Sequence, residues 1–252
     1  MTKATSTMRR LGLLLAGMLV SGASFAAGPA LDLDPANTQL GNRAMMQRGA
    51  ALYMNYCAGC HSLQYLRYSR LASDLGLTEE QVMGNLAFLP DARFGDTIGV
   101  AMTKEQGTAM FGKAPPDLSL VARSRGVDWL YTFLRSFYAD PTAQTGWNNK
   151  LLADASMPHV LWELQGTQEA RFATSDDPRA EPVIEKLELV RGGVLTPAQY
   201  DAALRDLVTF LEYAGEPAAL KRQSLGVWVL LYLALFTLLA WLLKREYWKD
   251  VH

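Results

Sequence analysis

Apolar residues recur at helical spacing in several segments of the chain, and most of these segments have recognisable start or stop signals. The clearest helix follows Thr196, with Pro197 at its first position and Gln199 placed to complete a capping box. Its apolar face continues until Gly215 and Pro217 end it. Shorter runs predict three more helices: 42–56, 79–88 with Thr78 and Gln81 as a capping box, and 129–138.

The segments between these helices are rich in turn-forming residues, which predicts loops around 112–116, 141–149 and 174–182. A short strand is predicted over 183–190, ending at the sequence Arg-Gly-Gly at 191–193. Loops of this length are unusual in a small domain unless they enclose a bound group. The pattern therefore predicts a mainly α domain with long loops.

Both ends of the chain are strongly apolar. Residues 225–243 contain no charge, and nineteen helical residues span roughly 28 Å, about one bilayer core. We predict a transmembrane helix here, with Trp228 and Trp241 near its ends at the interfaces. The N-terminus has a basic stretch, a ten-residue apolar run and then small residues up to Ala26. This order is typical of a cleaved secretory signal peptide, since the apolar run is too short to span a membrane.

The chain is thus divided into a signal peptide (1–26), an exported domain (27–223), a transmembrane helix (224–243) and a short tail (244–252). Export is expected to put the domain in the periplasm, anchored once in the inner (cell) membrane, with the tail in the cytoplasm. The exported domain has a net charge of −5 on the printed sequence. That charge argues against nucleic acid as a partner and is compatible with a basic protein partner.

The chemistry centres on the sequence Cys57-Ala-Gly-Cys60-His61. Two cysteines at this spacing can add to the two vinyl groups of one haem, and the adjacent histidine then lies under the porphyrin as an iron ligand. The sequence therefore predicts one covalently attached haem c.

Three other interpretations of the cysteine pair are weaker. A thioredoxin-like motif requires a βαβ context, which the chain does not predict. A closed zinc site needs about four ligands, but the chain has only two cysteines and three histidines. A structural disulfide suits an oxidising compartment but gives no role to His61.

The sixth iron ligand is less defined by the residues alone. Met157 precedes Pro158 and follows a predicted loop, so a thioether there could approach iron from the side opposite His61. His159, two residues later, is the competing candidate. Methionine ligation would raise the haem potential, as a high-potential electron carrier requires.

Longer motifs then point to a family. The chain resembles cytochrome c1, the haem subunit of the quinol–cytochrome c reductase (cytochrome bc1) complex, in its shorter bacterial form. The resemblance rests on RGAALYMNYCAGCHSLQYLRY (48–68), APPDLSLVAR (114–123), ASMPHVLWELQG (155–166) and the C-terminal helix. It covers nearly the whole mature chain.

The resemblance implies roles for residues at matching positions. Met157 corresponds to the axial methionine, which favours it over His159. Pro115 and Pro116 match a loop beside the haem, where a backbone carbonyl would orient His61 through Nδ1–H. Arg123 matches an arginine that pairs with a haem propionate. Gly49, Tyr53, Leu207 and Phe210 resemble the contact between the first and last helices of c-type cytochromes.

The implied function is electron transfer from a Rieske iron–sulfur protein to a soluble or tethered cytochrome c, beside a cytochrome b subunit and membrane lipid. This chain itself would make or break no substrate bond; the whole complex is the enzyme. One alternative is an anchored cytochrome c that serves another oxidase or dehydrogenase. An alternative of another class is a tethered thiol–disulfide oxidoreductase.

Overall fold

The computed structural model describes residues 32–173 and 183–249, so the predicted signal peptide and the loop 174–182 lie outside the described residues. Within them the chain forms nine helices and six short strands. The helices are α1 (Arg43–Tyr56), α2 (Tyr68–Leu75), α3 (Glu79–Asn85), α4 (Lys104–Phe111), α5 (Val121–Arg125), α6 (Val127–Arg135), α7 (Trp162–Gln165), α8 (Pro197–Gly215) and α9 (Ala219–Tyr247). The strands are β1 (Leu63–Arg67), β2 (Thr97–Ile98), β3 (Phe137–Ala139), β4 (Trp147–Asn149), β5 (Gly166–Phe172) and β6 (Ile184–Gly192).

The predicted capping signals are confirmed. Thr196 and Gln199 form a full capping box at the start of α8, with Pro197 in the first turn. Thr78 and Gln81 form the same motif at α3, although that helix ends at Asn85 rather than at residue 88. Each box satisfies backbone N–H groups that the first helical turn cannot pair.

The crossing of α1 and α8 forms the centre of the core. Gly49 permits it, because a Cβ atom at this position would lie 2.0 Å from the backbone oxygen of Asp206 on α8. Tyr53 and Phe210 fill the crossing, with ring centroids 5.7 Å apart, and Leu207 is buried beside them. The predicted contact between the first and last helices of the domain is therefore confirmed.

The prediction for the third helix is wrong at its end. The helix α6 stops at Arg135, and the following residues form β3, which pairs with β4 so that Phe137 lies opposite Asn149. The Asn149 side chain donates to the Phe133 carbonyl at 2.8 Å and so satisfies a backbone acceptor at the end of α6. Pairing with a distant strand thus outweighs the local helical pattern.

The remaining strands form two further antiparallel pairs, β1 with β2 and β5 with β6. The predicted strand 183–190 corresponds to β6, whereas its partner β5 was not predicted. Glu188 on β6 is paired with Arg171 and Lys186, so it is part of a local ion-pair network.

The C-terminal helix α9 is longer than the predicted span of 225–243. It covers Ala219–Tyr247, and its most apolar window has a mean hydropathy of 2.3 with none of its residues buried. Twenty-nine residues make roughly 44 Å of helix, more than the hydrocarbon core of a bilayer. In the described part of the chain it is the one helix long and apolar enough to cross a membrane.

Candidate functional site

A tight turn at the end of α1 presents the two cysteines and the histidine. The N–H of Cys57 closes the helix on the Tyr53 carbonyl at 2.8 Å. The carbonyl of Cys57 then accepts from the N–H groups of Cys60 and His61, at 3.0 and 2.9 Å. The sequence Cys-x-x-Cys-His is thereby folded into one compact turn.

Tyr53 connects this turn to the helix crossing. Its fully buried hydroxyl donates to the His61 carbonyl at 2.6 Å, and burial raises the pKa of the phenol. The hydroxyl therefore stays protonated and holds the backbone of His61 from the side of the core.

A second contact fixes the His61 ring. The Nδ1 atom lies 2.7 Å from the Pro116 carbonyl, which can only accept, so Nδ1 bears the proton. Burial lowers the pKa of His61, whereas the hydrogen bond to Pro116 opposes that effect. The neutral ring therefore keeps Nε2 free as a ligand atom.

Asp117 ties the proline loop to the chain that follows His61. One carboxylate oxygen accepts from the Ser62 hydroxyl at 2.7 Å and from the Gln64 N–H at 2.9 Å. The other accepts from the Ser119 N–H at 2.9 Å. Burial raises the pKa of this carboxyl, but the hydrogen bonds outweigh burial and hold it below its ordinary value. An ionised Asp117 thus holds Pro116 in position to contact His61.

These segments enclose an apolar cavity with an empty volume of about 580 Å³, part of which is open to solvent. Six of the seven predicted site residues line it: Cys57, Cys60, His61, Pro115, Pro116 and Met157. Sequence analysis missed the other lining residues, which are Tyr56, Phe111, Lys113, Ala114, Ser156, Pro158 and Val160. The structure therefore brings the cysteine pair, the imidazole and the thioether to one site.

Arg123 lies elsewhere. It is exposed on α5, and it is not among the described residues that line the cavity. Its side chain passes close to Gly215, where an added Cβ would meet Arg123 Cγ at 3.3 Å and the Ser119 carbonyl at 3.5 Å. Its predicted contact with a propionate stays a prediction.

His159 does not line the cavity either. Its ring is buried and stacks on Phe137, with centroids 5.1 Å apart and planes 6° from parallel, while Trp147 contacts it edge-on at 5.1 Å. Burial lowers the pKa of His159 to about 4, with a smaller opposing effect from Gln165. Of the two candidates for the sixth ligand, only Met157 faces the same cavity as His61.

The thiols are unsuited to disulfide exchange. Burial raises the pKa of Cys57 to about 12 and also raises that of Cys60. Reactive cysteines of oxidoreductases have lowered pKa values, because the thiolate is the nucleophile. The two cysteines are not joined in a disulfide. Among the described residues, no group of three or more His, Cys, Asp or Glu could hold a metal ion.

Sequence analysis did not single out Asp117, although the sequence contains a local signal for its hydrogen bond to Ser119. An aspartate followed two residues later by a serine can accept from the serine N–H in an Asx-turn, which is the contact observed.

Comparison with known proteins finds one family model and several relatives that match most of the chain. The model described as Cytochrome C1 family matches residues 38–93 and 87–251. Cytochrome c1 of Allochromatium vinosum is 50% identical over 245 residues, which cover 97% of this chain and 100% of that protein. The ammonia monooxygenase gamma subunit of Nitrosomonas europaea is 39% identical over 240 residues, covering 95% and 97% of the two chains. Cytochrome c1 of Rhodospirillum rubrum is 28% identical over 83% of each chain.

Proposed function

The chain belongs to the cytochrome c1 family and is a haem electron-transfer subunit of a cytochrome bc1 complex, and on that premise we propose how it binds its haem. Cys57 and Cys60 would hold one haem c through thioether bonds, and His61 and Met157 would ligate its iron. When bound, the haem supplies one-electron chemistry at iron.

The observation that supports this proposal most strongly is the shared cavity. Cys57, Cys60, His61 and Met157 come from two distant parts of the sequence and line the same apolar space. The hydrogen bond between Nδ1 of His61 and the Pro116 carbonyl leaves Nε2 unprotonated on a ring that lines that space. A porphyrin needs an apolar slot, two thiols and two axial donor atoms, and these residues provide them.

The chain's own residues prepare the site in three ways. Tyr53 holds the His61 backbone, and Pro116 sets the tautomer and orientation of its ring. The largely apolar lining provides a low-polarity surrounding, which together with a thioether ligand would favour the reduced iron and raise its potential. Arg123, on α5 beside the loop that contains Ser119, is the proposed cation for a propionate.

The finer placement of the chain also belongs to the proposal. The protein is membrane-anchored through α9, and the complex contains cytochrome b. The domain would accept electrons from a Rieske iron–sulfur protein and pass them to a soluble or tethered cytochrome c. The basic, apolar and small-residue order at the N-terminus supports export, which would put the domain before α9 in the periplasm and the residues after α9 in the cytoplasm.

Affinity purification of the full-length chain from membranes tests this function. We expect a c-type pyridine haemochrome spectrum, with cytochrome b and a Rieske protein among the co-purifying subunits. Co-purification with the subunits of an ammonia monooxygenase, as the name of the Nitrosomonas relative indicates for that protein, would overturn the assignment of partners.

Cysteine variants test the attachment. The double variant Cys57→Ala/Cys60→Ala should show no haem on a denaturing gel, because each sulfur supplies one thioether. Gly59→Ala is the matched control in the same turn, since a Cβ there meets no atom within 4 Å. Haem retained by the double variant under denaturing conditions would refute covalent attachment.

A further inference from the structure

We propose that His159 is a positioning residue for the axial methionine: its buried ring fastens the segment that contains Met157 to the β3–β4 hairpin. This inference rests on the proposed ligation of iron by Met157. Sequence analysis weighed His159 as a ligand, whereas the structure gives it the task of holding the ligand in place.

The first observation is the direction of the side chains along the segment. Ser156, Met157, Pro158 and Val160 all line the cavity, whereas His159 does not. Its ring is buried on the opposite side of the segment, where its exposed fraction is 2%. Met157 and its neighbours therefore face the cavity, whereas His159 packs away from it.

The second observation is what the ring contacts. It stacks on Phe137 of β3, with planes 6° apart, and meets Trp147 of β4 edge-on at 77°. These two residues lie on paired strands, where Ala139 is opposite Trp147 and Phe137 is opposite Asn149. Parallel-offset and edge-to-face contacts are the two favoured arrangements of aromatic rings, so the ring is held in two directions.

The third observation is that no well-formed hydrogen bond explains the histidine: Gln165 lies near enough to oppose the lowering of the His159 pKa, but the two side chains do not meet in hydrogen-bond geometry. In the described part of the chain, Nε2 of His159 and Oε1 of Gln165 are buried and have no hydrogen-bond partner. A buried histidine kept for its polarity would have its nitrogen paired. The ring surface, rather than the nitrogen, therefore supplies the anchor.

This arrangement matters because the start of the segment is held by Asn148 and Asn149, which accept from backbone N–H groups of residues 151, 152 and 154, whereas His159 is the anchor next to Met157. Residues 150–161 contain no helix or strand, and β4 ends at Asn149. An iron–thioether bond is weak enough for the loop to compete with it, so a loop held in the bound position favours ligation. Loss of the anchor is expected to open the sixth position of iron without removing the ligand.

The test compares His159→Ala with His159→Phe in the full-length protein. His159→Phe keeps an aromatic ring for stacking and removes both ring nitrogens, including the unpaired Nε2, so it should preserve ligation. His159→Ala should weaken the absorption band of the iron–methionine bond and increase carbon monoxide binding to the reduced haem by about tenfold. The midpoint potential of the haem should be lower in His159→Ala than in His159→Phe.

Two further variants separate the possible outcomes. Met157→Leu should abolish the band entirely; a band that survives in Met157→Leu would refute the ligand assignment itself. If Met157→Leu loses the band while His159→Ala keeps it, only the anchoring role is refuted. Val82→Ala is the control for general destabilisation, because Val82 is fully buried on α3 and does not line the cavity.

Two other results would overturn the anchoring role of His159. Equal carbon monoxide binding in Val82→Ala and His159→Ala would show that loss of stability alone opens the site, and would overturn the inference. Failure of His159→Phe to restore the band would overturn it as well. If His159→Ala does not accumulate, Trp147→Leu removes the edge-on contact and is read by the same band and the same gas titration.

Discussion

Substitution of Gly49 by alanine should separate the two helices that form the centre of the core. The added Cβ would lie 2.0 Å from the backbone oxygen of Asp206 and 2.7 Å from Cβ of Phe210. Neither atom can rotate away, so α1 and α8 must move apart. Overpacking of this kind typically costs about 1–3 kcal/mol, and a clash with backbone places Gly49→Ala near 3 kcal/mol. For a domain of this size, that corresponds to a decrease in Tm of roughly 6–12 °C.

The assay is thermal unfolding of the full-length protein in one detergent, followed by the helical circular dichroism signal. Gly84→Ala is the matched control, because Gly84 is also helical and a Cβ there meets no atom within 4 Å. Alanine should be neutral or stabilise α3 by up to ~1 kcal/mol, since glycine is the weaker helix former. A Tm for Gly49→Ala within 1–2 °C of wild type, where about 3 kcal/mol is expected, would refute the close crossing. Because α1 leads directly into Cys57, we also expect less haem per chain in this variant.

Three other predictions concern the site and the anchor. Tyr53→Phe should lower the free energy of unfolding by about 1–3 kcal/mol, because it leaves the buried His61 carbonyl without its donor; denaturant unfolding measures this, and an unchanged midpoint would contradict the contact. Asp117→Asn should destabilise by ~2 kcal/mol at neutral pH. The folded pKa of this carboxyl is depressed, so its contribution is present above the unfolded value of ~3.9 and is lost as the pH falls through the lower folded value. The difference between wild type and variant should therefore shrink at acidic pH, and a difference that grows there would reverse the sign we assign. Finally, a chain ending at Gln223 should be recovered in the soluble fraction with its haem attached, since the apolar helix is almost entirely exposed in the structure; retention in washed membranes at high salt would show a second attachment.

Local signals account for the parts of the fold that sequence analysis predicted. The capping boxes at Thr78 and Thr196 are encoded within four residues, and both are present. The same pattern occurs at Thr103, where Gln106 completes a box at the start of α4, and it was overlooked. The cysteine–histidine motif is equally local. These elements are readable because the atoms that satisfy each other are close in sequence.

The parts that were missed depend on partners far along the chain. Phe137 is compatible with a helix, but pairing with Asn149 draws it into β3. Leu63 pairs with Ile98 across more than thirty residues, and no local pattern marks that register. The position of His159 outside the cavity follows from the same hairpin. Six of the seven residues predicted for the site line one cavity, whereas the surroundings that orient them required the tertiary fold.

The connection between α8 and α9 limits how far the haem-binding domain can travel. Only residues 216–218 separate the two helices, and Arg70 donates to the Pro217 carbonyl at 3.3 Å, while Arg222 pairs with Glu216 at 2.6 Å. A disordered tether of a few dozen residues would let a domain search over ~30 Å or more. Three hydrogen-bonded residues between two helices allow almost no such search. The height of the cavity above the bilayer is therefore set by the fold rather than by the length of a flexible tether.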